Sequence, residues 1–380
     1  MKRIAILGGG AAGTMVANRL AKRLYKELKS EQVEITLFSK DENHIYWPGY
    51  LFVAFNLDDP ESFKKREKEL LNPSVKLQTE EVNKIDLNNR TLVLKSGASY
   101  QYDYLVIATG SEYHYEEIQG YDSVVGFYDE IHALKMRETL NSFSGGKIVV
   151  NIARLPIRCP PAPAEGTLIL DDILRNRGIR NNSEIIFTTP INMIIGIKEA
   201  HALLINEFEK RGIQFVPYFT VASVDPQNKV IESQEGDKIK YDLLIGVPPH
   251  SGAQVIKASE IGDRMGWVPT DKYTLQVKDH PEVYAIGDAT DLPISKAGAT
   301  ADFESYIIVD NIISDLRGEK IKKTYDGSVM CFAAAGLGKA TVFRFNYTIP
   351  PNPPTPLDTL WWVKLMYNKL YWDITARAIL

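Results

Sequence analysis

The sequence predicts an α/β fold of two Rossmann-like dinucleotide-binding domains, the second inserted in the first, plus a C-terminal amphipathic membrane-binding segment. Three observations support this prediction. An apolar strand runs into a glycine-rich loop at residues 2–13, later strands end in small-residue turns at 102–110 and 283–288, and strands at 147–153 and 184–188 form a second unit. Strands that alternate with helical stretches are typical of parallel sheets covered by helices.

Length and composition limit the possible classes of protein. A chain of 380 residues with 44% hydrophobic residues suits two or three domains with buried cores. The formal net charge of −4 gives no basic field, so we expect no nucleic-acid partner, and we expect no metal site. No apolar run is long enough for a membrane-spanning helix, and Met1 lies so close to the first strand that we expect no signal peptide.

The first strand leads into a nucleotide-binding motif. Residues Lys2–Leu7 are followed by the loop GGGAAG, a G-x-G-x-x-G pattern, and by a predicted helix over Ala12–Leu28. Gly8 provides the tight turn, Gly10 lets a pyrophosphate approach the backbone, and Gly13 lets the helix pack closely on the strand. The phosphates are expected at the free N–H groups of the helix N-terminus.

Three later features narrow the choice of nucleotide. The second strand, Val33–Phe38, ends at Ser39, a weaker hydrogen-bonding residue than the acid that usually binds the ribose there. A third strand opens into the turn Ala108-Thr109-Gly110, and another ends at Gly287-Asp288. Together these segments resemble the two-dinucleotide-binding-domain flavoproteins. The resemblance implies FAD, with the first turn beside its phosphates and Asp288 on its ribityl hydroxyls.

The second unit lacks the corresponding glycine motif. Its opening strand, at residues 147–153, continues into Arg154-Leu155-Pro156-Ile157-Arg158-Cys159-Pro160-Pro161, which contains no glycine and whose prolines remove N–H groups. Its second strand, Glu184–Thr188, is followed by Thr189-Pro190 without an acidic ribose ligand. We therefore expect an α/β domain that has lost its NAD(P)H site.

The chain has two cysteines, 172 positions apart. Cys159 is followed by three prolines within four residues and then by Glu165, so we expect a stiff, extended backbone that presents its sulfur at a fixed angle. Cys331 is the only other cysteine. Without a secretion signal such a pair is either redox-active or two buried thiols. The neighbouring Arg158 either stabilises a thiolate or points to solvent.

The cysteine segment, together with Val247-Pro248-Pro249-His250, residues 293–298 and Met330-Cys331-Phe332, resembles sulfide:quinone oxidoreductases, and the flavocytochrome c sulfide dehydrogenase flavoprotein shares the cysteine signature. The resemblance implies that both cysteines lie on one face of the flavin, with sulfur atoms added between them through a disulfide or sulfur bridge. The quinone binds on the opposite face. The substrates implied are therefore sulfide and a membrane quinone.

The same resemblance assigns roles to further residues. Glu165 handles protons near the sulfur site, although an N-terminal helix carboxylate needs no such role. His132 matches a histidine near the sulfide route, although a histidine at a helix start often only caps it. Tyr128 stands where many members carry a third cysteine. His250 orders a loop over the flavin or is simply structural.

Two expectations concern the quinone side and the flavin linkage. Phe332 and Lys296 are placed on the quinone side, with the Lys296 ammonium beside the flavin to stabilise its reduced anion. The aromatic loop Tyr46–Tyr50 contains no cysteine, unlike the flavocytochrome relatives that attach their flavin near here. We therefore expect non-covalent FAD.

The C-terminal segment begins with a proline-rich spacer at residues 349–356 and continues into an aromatic stretch at 360–372. Trp362, Met366 and Leu370 follow i,i+4 spacing and share one helical stripe. A helix of this type suits a membrane interface, which predicts a peripheral, monotopic membrane protein. The alternative is a terminal helix that packs on the protein's own core.

These observations give a favoured function and alternatives. The favoured function is a sulfide:quinone oxidoreductase; the others are a type II NADH:quinone oxidoreductase, a sulfur-sensing FAD protein without turnover, and a flavoprotein subunit that reduces a cytochrome. We expect an FAD-binding domain at 1–112 and 265–330, a second domain at 113–264 and a redox-cysteine and quinone-side segment at 331–380. A homo-oligomer is possible.

Overall fold

Two parallel sheets form the frame of the molecule in this computed structural model, which describes residues 1–319 and 323–379. The first sheet has six strands. The two strands at one edge pair antiparallel, and all other neighbouring strands pair parallel. Their spatial order is Gln276–Val277, His280–Ala285, Tyr104–Ile107, Lys2–Leu7, Val33–Phe38 and Lys76–Gln78.

The second sheet is built from the middle of the chain. It has four parallel strands in the order Gln214–Val216, Ser183–Thr188, Gly146–Ile152 and Leu243–Val247. The first sheet takes strands from before and after this region, so the second unit is inserted between parts of the first. The predicted α/β architecture is confirmed.

Antiparallel strands make up the smaller sheets. Two of these have three strands each: Val82–Asp86, Thr91–Leu94 and Ser99–Gln101, and Val221–Asp225, Val230–Ser233 and Lys238–Lys240. Three are pairs: Asn43–Ile45 with Lys64–Arg66, Ser111–Tyr113 with His250–Gly252, and Val329–Ala334 with Ala340–Phe345.

Helices cover the sheets and lie between them. Their bounds are Ala11–Arg23, Tyr25–Lys29, Gly49–Ala54, Glu67–Leu70, Glu130–Ser142, Ala162–Asn176, Lys198–Arg211, Gln254–Ala258, Gly298–Leu316 and Asp358–Leu370, and the last is followed by a π-helical turn at Tyr371–Thr375. None of the helices in residues 1–319 and 323–379 combines the length and apolar character needed to cross a bilayer.

The helix predicted over Ala12–Leu28 is divided in two. Leu24 leaves the helical region at φ −102° and ψ 22°, although its N–H still bonds to the Leu20 carbonyl. Leu24 is fully buried while Tyr25 is exposed, so the break keeps the leucine in the core as the chain turns toward solvent.

Alternating side chains explain why the strand Lys2–Leu7 is apolar at consecutive positions from Ile4 onward. Ile4 and Ile6 pack toward the helices Ala11–Arg23 and Gly298–Leu316, whereas Ala5 and Leu7 belong to a separate core on the opposite face. Both faces of this sheet are covered, as expected for a parallel sheet.

The hairpin that carries Cys331 is tied to the second unit. The N–H of Leu337, in its turn, donates to Asp172 Oδ2 at 2.7 Å, and Arg211 Nη2 donates to the Ala335 carbonyl at 3.0 Å. Asp172 lies on the helix Ala162–Asn176, which starts just after Cys159. These contacts set the position of one cysteine's strand relative to the other's helix.

Candidate functional site

A cavity of about 490 Å³ extends from the glycine-rich loop to the C-terminal helix. Its wall includes Gly10, Asp288, Cys159, Cys331 and Tyr371. These residues come from distant parts of the chain. The fold therefore brings the predicted nucleotide residues and both cysteines to one cavity.

The three motif positions require glycine for different structural reasons. A Cβ at Gly8, where φ is +120°, would lie 2.3 Å from the Ala108 carbonyl oxygen, and a Cβ at Gly13 would lie 2.0 Å from the Gly8 carbonyl oxygen. At Gly10 a Cβ would meet no atom within 4 Å. Two glycines thus permit close backbone packing, and Gly10 leaves space where a ligand phosphate can approach.

Two helix N-termini meet this cavity without a side-chain cap. Gly10 precedes the helix Ala11–Arg23, and Ala297 precedes the helix Gly298–Leu316; both residues line the cavity. The first hydrogen bond of the earlier helix runs from Thr14 N to Gly10 O, so the preceding N–H groups have no partner within the helix. Such ends attract anions, which fits a dinucleotide pyrophosphate.

The strand ends add polar groups to the same wall. Ala108, Thr109 and Gly110 line the cavity, and the buried Thr109 hydroxyl has no hydrogen-bond partner in the described protein. Ser39 also lines it, but its hydroxyl donates to the Asp41 carbonyl at 2.7 Å. The unpartnered Thr109 hydroxyl fits a bound polar ligand.

Asp288 is held in a defined orientation. Arg158 Nε donates to its Oδ2 at 2.7 Å, and the residue lines the cavity. The preceding Gly287, at φ +66°, donates its N–H to Glu304 Oε2 at 2.6 Å. Burial raises the pKa of Glu304 to about 8. The glycine loop, helix ends, Thr109 and Asp288 together fit FAD.

Lys296 lies elsewhere than expected. Its ammonium is buried and donates to the carbonyls of Asp288 at 3.0 Å and Thr290 at 2.6 Å, and it lies 3.8 Å from the Trp267 ring centroid. Lys296 is not part of the cavity wall, although Ala297 is. Burial lowers its pKa. Its side chain therefore supports the Asp288 turn from behind, because the carbonyls of that turn bind the ammonium.

The cysteine–proline segment forms a turn, so the expectation of an extended backbone is wrong. Cys159 has φ +49°, its carbonyl accepts a hydrogen bond from Ala162 N at 2.9 Å, and its N–H donates to the Lys296 carbonyl at 2.7 Å. Pro161 is in the helical region, and the helix Ala162–Asn176 starts directly after it. The proline rings suit the first helical turn as well as an extended chain.

Both thiols are free, so the direct disulfide expected as one form of the pair is not formed. Cys331 lies in the strand Val329–Ala334, where it is paired with Phe343. Burial raises the pKa of both thiols, to about 12 for Cys331. The Glu165 carboxylate raises both further, and negative charge on Cys331 also raises the pKa of Cys159.

Glu165 and Lys364 form an ion pair beside the thiols. Glu165 is 2% exposed, its Oε2 lies 2.7 Å from Lys364 Nζ, and it accepts the Ala334 N–H at 3.1 Å. Lys364 Nζ also donates to the Phe332 carbonyl at 2.9 Å. The ammonium lowers the pKa of both cysteines. Glu165, Lys364 and Phe332 all line the cavity.

Arg158 neither points to solvent nor pairs with a thiol. Its guanidinium bonds to Asp288 and to the Tyr113 hydroxyl, the latter at 2.6 Å, and lies 5.0 Å from the Trp47 ring centroid. The Tyr128 hydroxyl, at the position of the third cysteine, donates to the Arg158 carbonyl at 3.1 Å. Arg158 therefore organises the wall between the cysteine turn and Asp288.

Neither His132 nor His250 lines the cavity. His132 Nδ1 lies 2.8 Å from Asp129 Oδ2, and its ring stacks on Tyr115 with centroids 3.8 Å apart. His250 Nδ1 lies 2.8 Å from the Pro248 carbonyl, and burial lowers the pKa of His250 to about 3, so its ring is neutral. The structure does not bring His132 to the cavity with the cysteines and Glu165.

The C-terminal helix Asp358–Leu370 has two different faces. Trp361 and Asn368 are buried, and Asn368 Oδ1 accepts the Tyr46 hydroxyl at 2.7 Å. The stripe of Trp362, Met366 and Leu370 is exposed, by 67%, 56% and 39%. The helix therefore packs on the protein's own core and also presents an apolar stripe to its surroundings.

Sequence reasoning missed Lys364, Tyr367 and Tyr371, which reach the cavity from the C-terminal segment. The aromatic stretch at 360–372 predicts an interfacial helix and assigns its lysines no role in the cavity. Helical spacing carries a signal that could have corrected this for Lys364, because it lies three residues after Trp361 and four before Asn368, on the buried face.

Metal-ligand side chains do not cluster in the part of the chain that the structure describes. No group of three or more His, Cys, Asp or Glu residues arranged to hold a metal ion is found among residues 1–319 and 323–379.

Comparison with known proteins gives one matching family and several full-length relatives. The model of the family described as pyridine nucleotide-disulphide oxidoreductase matches residues 2–304. The mitochondrial sulfide:quinone oxidoreductase of Mus musculus is 27% identical, over 99% of this chain and 86% of that protein. That of Dictyostelium discoideum is 26% identical, over 98% and 85%. The resemblance inferred from the motifs is thus confirmed.

Solved structures show the same fold. The sulfide:quinone oxidoreductase of Aquifex aeolicus superposes with a TM-score of 0.87 at 21% identity, covering 99% of this chain and 92% of that one. NDH2 from Plasmodium falciparum in complex with NADH gives a TM-score of 0.70 at 15% identity. Because the family match spans most of the residues and the fold agrees, this chain belongs to the pyridine nucleotide-disulphide oxidoreductase family.

Proposed function

We propose that this protein is a sulfide:quinone oxidoreductase that binds FAD without a covalent link and uses Cys159 and Cys331 as its redox pair. One observation carries the proposal: both thiols lie in the wall of the cavity that also contains the glycine loop and Asp288. Two sulfurs from distant segments at a predicted flavin site suit transfer of electrons from a sulfur substrate.

The residues that would hold FAD are distributed along the cavity. The helix ends after Gly10 and Ala297 suit the pyrophosphate, while Thr109 and Asp288 suit polar groups along the rest of the molecule. When bound, the flavin supplies a two-electron acceptor for the sulfur chemistry. Asp288 is ready to bind a hydroxyl because Arg158 already fixes its carboxylate.

Sulfide attacks an oxidised bridge between the two cysteines. A bond forms between the sulfide sulfur and one cysteine sulfur, the bridge bond breaks, and the other cysteine leaves as a thiolate. The thiolate then bonds to the terminal sulfur of the new persulfide, which releases one proton and two electrons. Glu165 would take the proton, and bound FAD would be the acceptor of the two electrons. Repetition lengthens the sulfur chain. The first bridge would form from the two free thiols, which would release two protons to water and two electrons for which bound FAD would be the acceptor.

The second unit supports sulfide over NADH as the reductant. The loop after its first strand contains the Cys159 turn with Pro160 and Pro161 instead of glycines. The strand end is filled by Tyr121, whose hydroxyl donates to Asn151 Oδ1 at 2.8 Å. We retain the limits 1–112 and 265–330 for the FAD domain, 113–264 for the second domain and 331–380 for the last segment.

The C-terminal segment supplies the quinone side and the membrane contact. Phe332 lines the cavity, with its ring centroid 6.4 Å from that of Tyr367. The exposed stripe of Trp362, Met366 and Leu370 suits insertion into a lipid interface, where a lipid-soluble quinone is available. We keep Lys296 on this side, where its ammonium donates to the Asp288 carbonyl at 3.0 Å.

Anaerobic titration of the flavin absorbance tests the proposal. Sulfide should bleach the purified holoprotein, a short-chain ubiquinone analogue should restore the colour repeatedly, and NADH should leave it unchanged. Cys159→Ser and Cys331→Ser should each lower sulfide-driven reduction at least about 100-fold, because neither can form the bridge.

Three outcomes would contradict the proposal. Bleaching by NADH would favour a type II NADH:quinone oxidoreductase, and bleaching by sulfide without sustained quinone reduction would favour a sulfur-sensing protein. Parental turnover by either serine variant would exclude the cysteine mechanism. Ser142→Ala, on an exposed helix end, is the control for a substitution that should have no effect.

A further inference from the structure

A hydrogen-bonded series of buried polar side chains leads from Glu67 to the cavity. Glu67 Oε2 lies 2.7 Å from His44 Nδ1, and His44 Nε2 lies 2.6 Å from the Tyr371 hydroxyl. Thr14 donates to the other carboxylate oxygen of Glu67 at 2.7 Å. Glu67, His44 and Thr14 are fully buried and Tyr371 is 2% exposed. The sulfur chemistry uses none of these residues.

Three secondary-structure elements position these polar side chains. His44 lies in the strand Asn43–Ile45, Glu67 begins the helix Glu67–Leu70, and Tyr371 begins the π-helical turn after the C-terminal helix. Only Tyr371 of the three lines the cavity. This series of side chains therefore has a buried end at Glu67, and Tyr371 is the member that borders the cavity.

The order of carboxylate, imidazole and hydroxyl suits proton transfer along the series. A carboxylate on one imidazole nitrogen and a hydroxyl on the other let the ring give up a proton at Nε2 while Nδ1–H stays on the carboxylate. Burial, with the Glu67 charge nearby, raises the pKa of Tyr371 well above its usual range, so the hydroxyl is protonated. Burying three such groups costs free energy that apolar residues of similar size would not.

We propose that Glu67, His44 and Tyr371 form a proton relay that delivers one proton to a quinone in the cavity. The inference rests on the proposed quinone reductase function. It adds a catalytic hydroxyl, Tyr371, and two residues that act through it.

The proton balance follows from the geometry. With a proton on both ring nitrogens of His44, Nδ1–H would donate to Glu67 and Nε2–H to the Tyr371 oxygen, which leaves the Tyr371 O–H to donate to a quinone oxygen. On reduction the Tyr371 proton bonds to that oxygen, and the Nε2 proton replaces it. His44 ends neutral, with Nε2 accepting from Tyr371. With bound FAD as the source of the two electrons, the relay would supply one of the two protons that the quinol carries, and water would supply the other. After the quinol leaves, water in the cavity would return a proton to His44 through Tyr371.

Few other charges approach the imidazole. The Tyr46 ring lies 4.1 Å from the Tyr371 ring, centroid to centroid, and the Trp372 ring lies 5.6 Å from His44. Lys65 places its ammonium 5.5 Å from the Trp372 ring centroid. The aromatic side chains around His44 are thus neutral. Glu67 is the charged group that contacts the imidazole, and the Lys65 ammonium approaches the Trp372 ring instead.

Rapid mixing separates the two half-reactions and tests the relay. His44→Gln keeps hydrogen-bonding groups but carries no titratable proton, and Tyr371→Phe keeps the ring without the hydroxyl. Each should slow reoxidation of the reduced flavin by a short-chain ubiquinone analogue about 100-fold. Reduction by sulfide should stay within about twofold of the parent, because the relay lies outside the sulfur chemistry. The solvent deuterium isotope effect on reoxidation should be larger in both variants than in the parent, because proton delivery then limits the rate.

Controls separate the relay from a structural role and from the proposed function. The melting temperatures of Glu67→Gln and of the control His201→Gln report on the fold. In the parent, the His201 ring accepts the Ile194 N–H at 3.2 Å. A folded His44→Gln protein that is reoxidised within about twofold of the parental rate overturns the relay. Protein reduced with dithionite and then mixed with the quinone gives the same comparison without sulfide. Failure of sulfide to reduce the parent would therefore reject the proposed function but not the relay.

Discussion

At the scale of single residues, Glu165 and Lys364 act on the two thiols in opposite directions. The carboxylate raises the pKa of Cys159 and Cys331, and the ammonium 2.7 Å from it lowers both. Because the thiolate is the reactive form, this ion pair controls how readily each sulfur reacts.

Substitution of either partner should therefore shift cysteine reactivity, with opposite signs. Glu165→Gln should lower the pKa of the thiols and speed alkylation by iodoacetamide, whereas Lys364→Met should raise it and slow alkylation, by about tenfold for each pKa unit. In the parent the rate should rise with pH and reach no plateau below about pH 10, since the pKa of Cys331 is about 12. Alkylation of Cys159→Ser, in which Cys331 is the only cysteine, measures this directly.

Lys369→Met is the matched control for the lysine change. Lys369 lies on the same helix but pairs with Asp58 at the surface, and its side chain is 67% exposed. Equal alkylation rates in the Glu165→Gln and Lys364→Met proteins would contradict this electrostatic account.

The sequence predicted residues whose role depends on the local backbone better than residues whose role depends on distant partners. Gly8, Gly10 and Gly13 have a motif that states their function, and their surroundings agree with it. The partners of Lys364 and Arg158 lie 199 and 130 positions away in Glu165 and Asp288, so no local pattern indicates them.

At the scale of elements, the C-terminal helix combines two surfaces that the sequence presented as alternatives. Trp361 and Asn368 pack inward, while Trp362, Met366 and Leu370 remain exposed. A single helix can do both because i,i+4 spacing assigns neighbouring residues to different faces. The exposed stripe suits a lipid interface.

Charges in the stripe should release the protein from lipid. Trp362→Glu with Met366→Glu should weaken sedimentation with phosphatidylcholine–phosphatidylglycerol vesicles at least about tenfold, because each buried apolar side chain contributes about 1.5–3 kcal/mol. The control is Ile131→Glu, since Ile131 is 76% exposed on another helix. Unchanged vesicle binding by the double variant would show that this stripe is not the membrane contact.

Elements were predictable where one periodicity dominates. The strands Lys2–Leu7 and Val33–Phe38 agree with prediction to the residue because both sheet faces are buried. The cysteine–proline segment was predicted wrongly because a proline φ near −65° is compatible with both an extended chain and a first helical turn. The hydrogen bond from Ala162 N to the Cys159 carbonyl selects the turn.

At the scale of the whole molecule, one buried carboxyl group should make folding stability depend on pH. Glu304 belongs to the helix Gly298–Leu316 and accepts the N–H of Gly287, and burial raises its pKa from 4.5 to about 8. Between these values the folded chain keeps a proton that the unfolded chain has lost. Stability should therefore fall as pH rises through this range and then level off.

Glu304→Gln removes this dependence. The urea midpoint of the variant, relative to that of the parent, should rise between about pH 5 and about pH 8, because the glutamine cannot ionise in the unfolded chain. Glu138→Gln, at an exposed position, should show no such trend. A constant difference between parent and Glu304→Gln across this range would mean that Glu304 ionises normally in the folded protein.

The overall architecture was predictable because its pattern repeats: apolar strand, small-residue turn, helix. How the cavity closes was not predictable, because Lys364, Tyr367 and Tyr371 reach it from a segment whose local pattern describes only a helix. Buried polar partners across long sequence separations are set by tertiary packing, which a single sequence displays poorly.

The cavity wall begins at Leu7 and continues to Thr375. During synthesis the amino-terminal glycine loop can fold early, since domains form as they leave the ribosome. Its cofactor pocket, however, stays open to water until the segment around Tyr371 has been translated. Nascent chains should therefore retain flavin weakly, and stable loading should follow the completion of translation through Thr375.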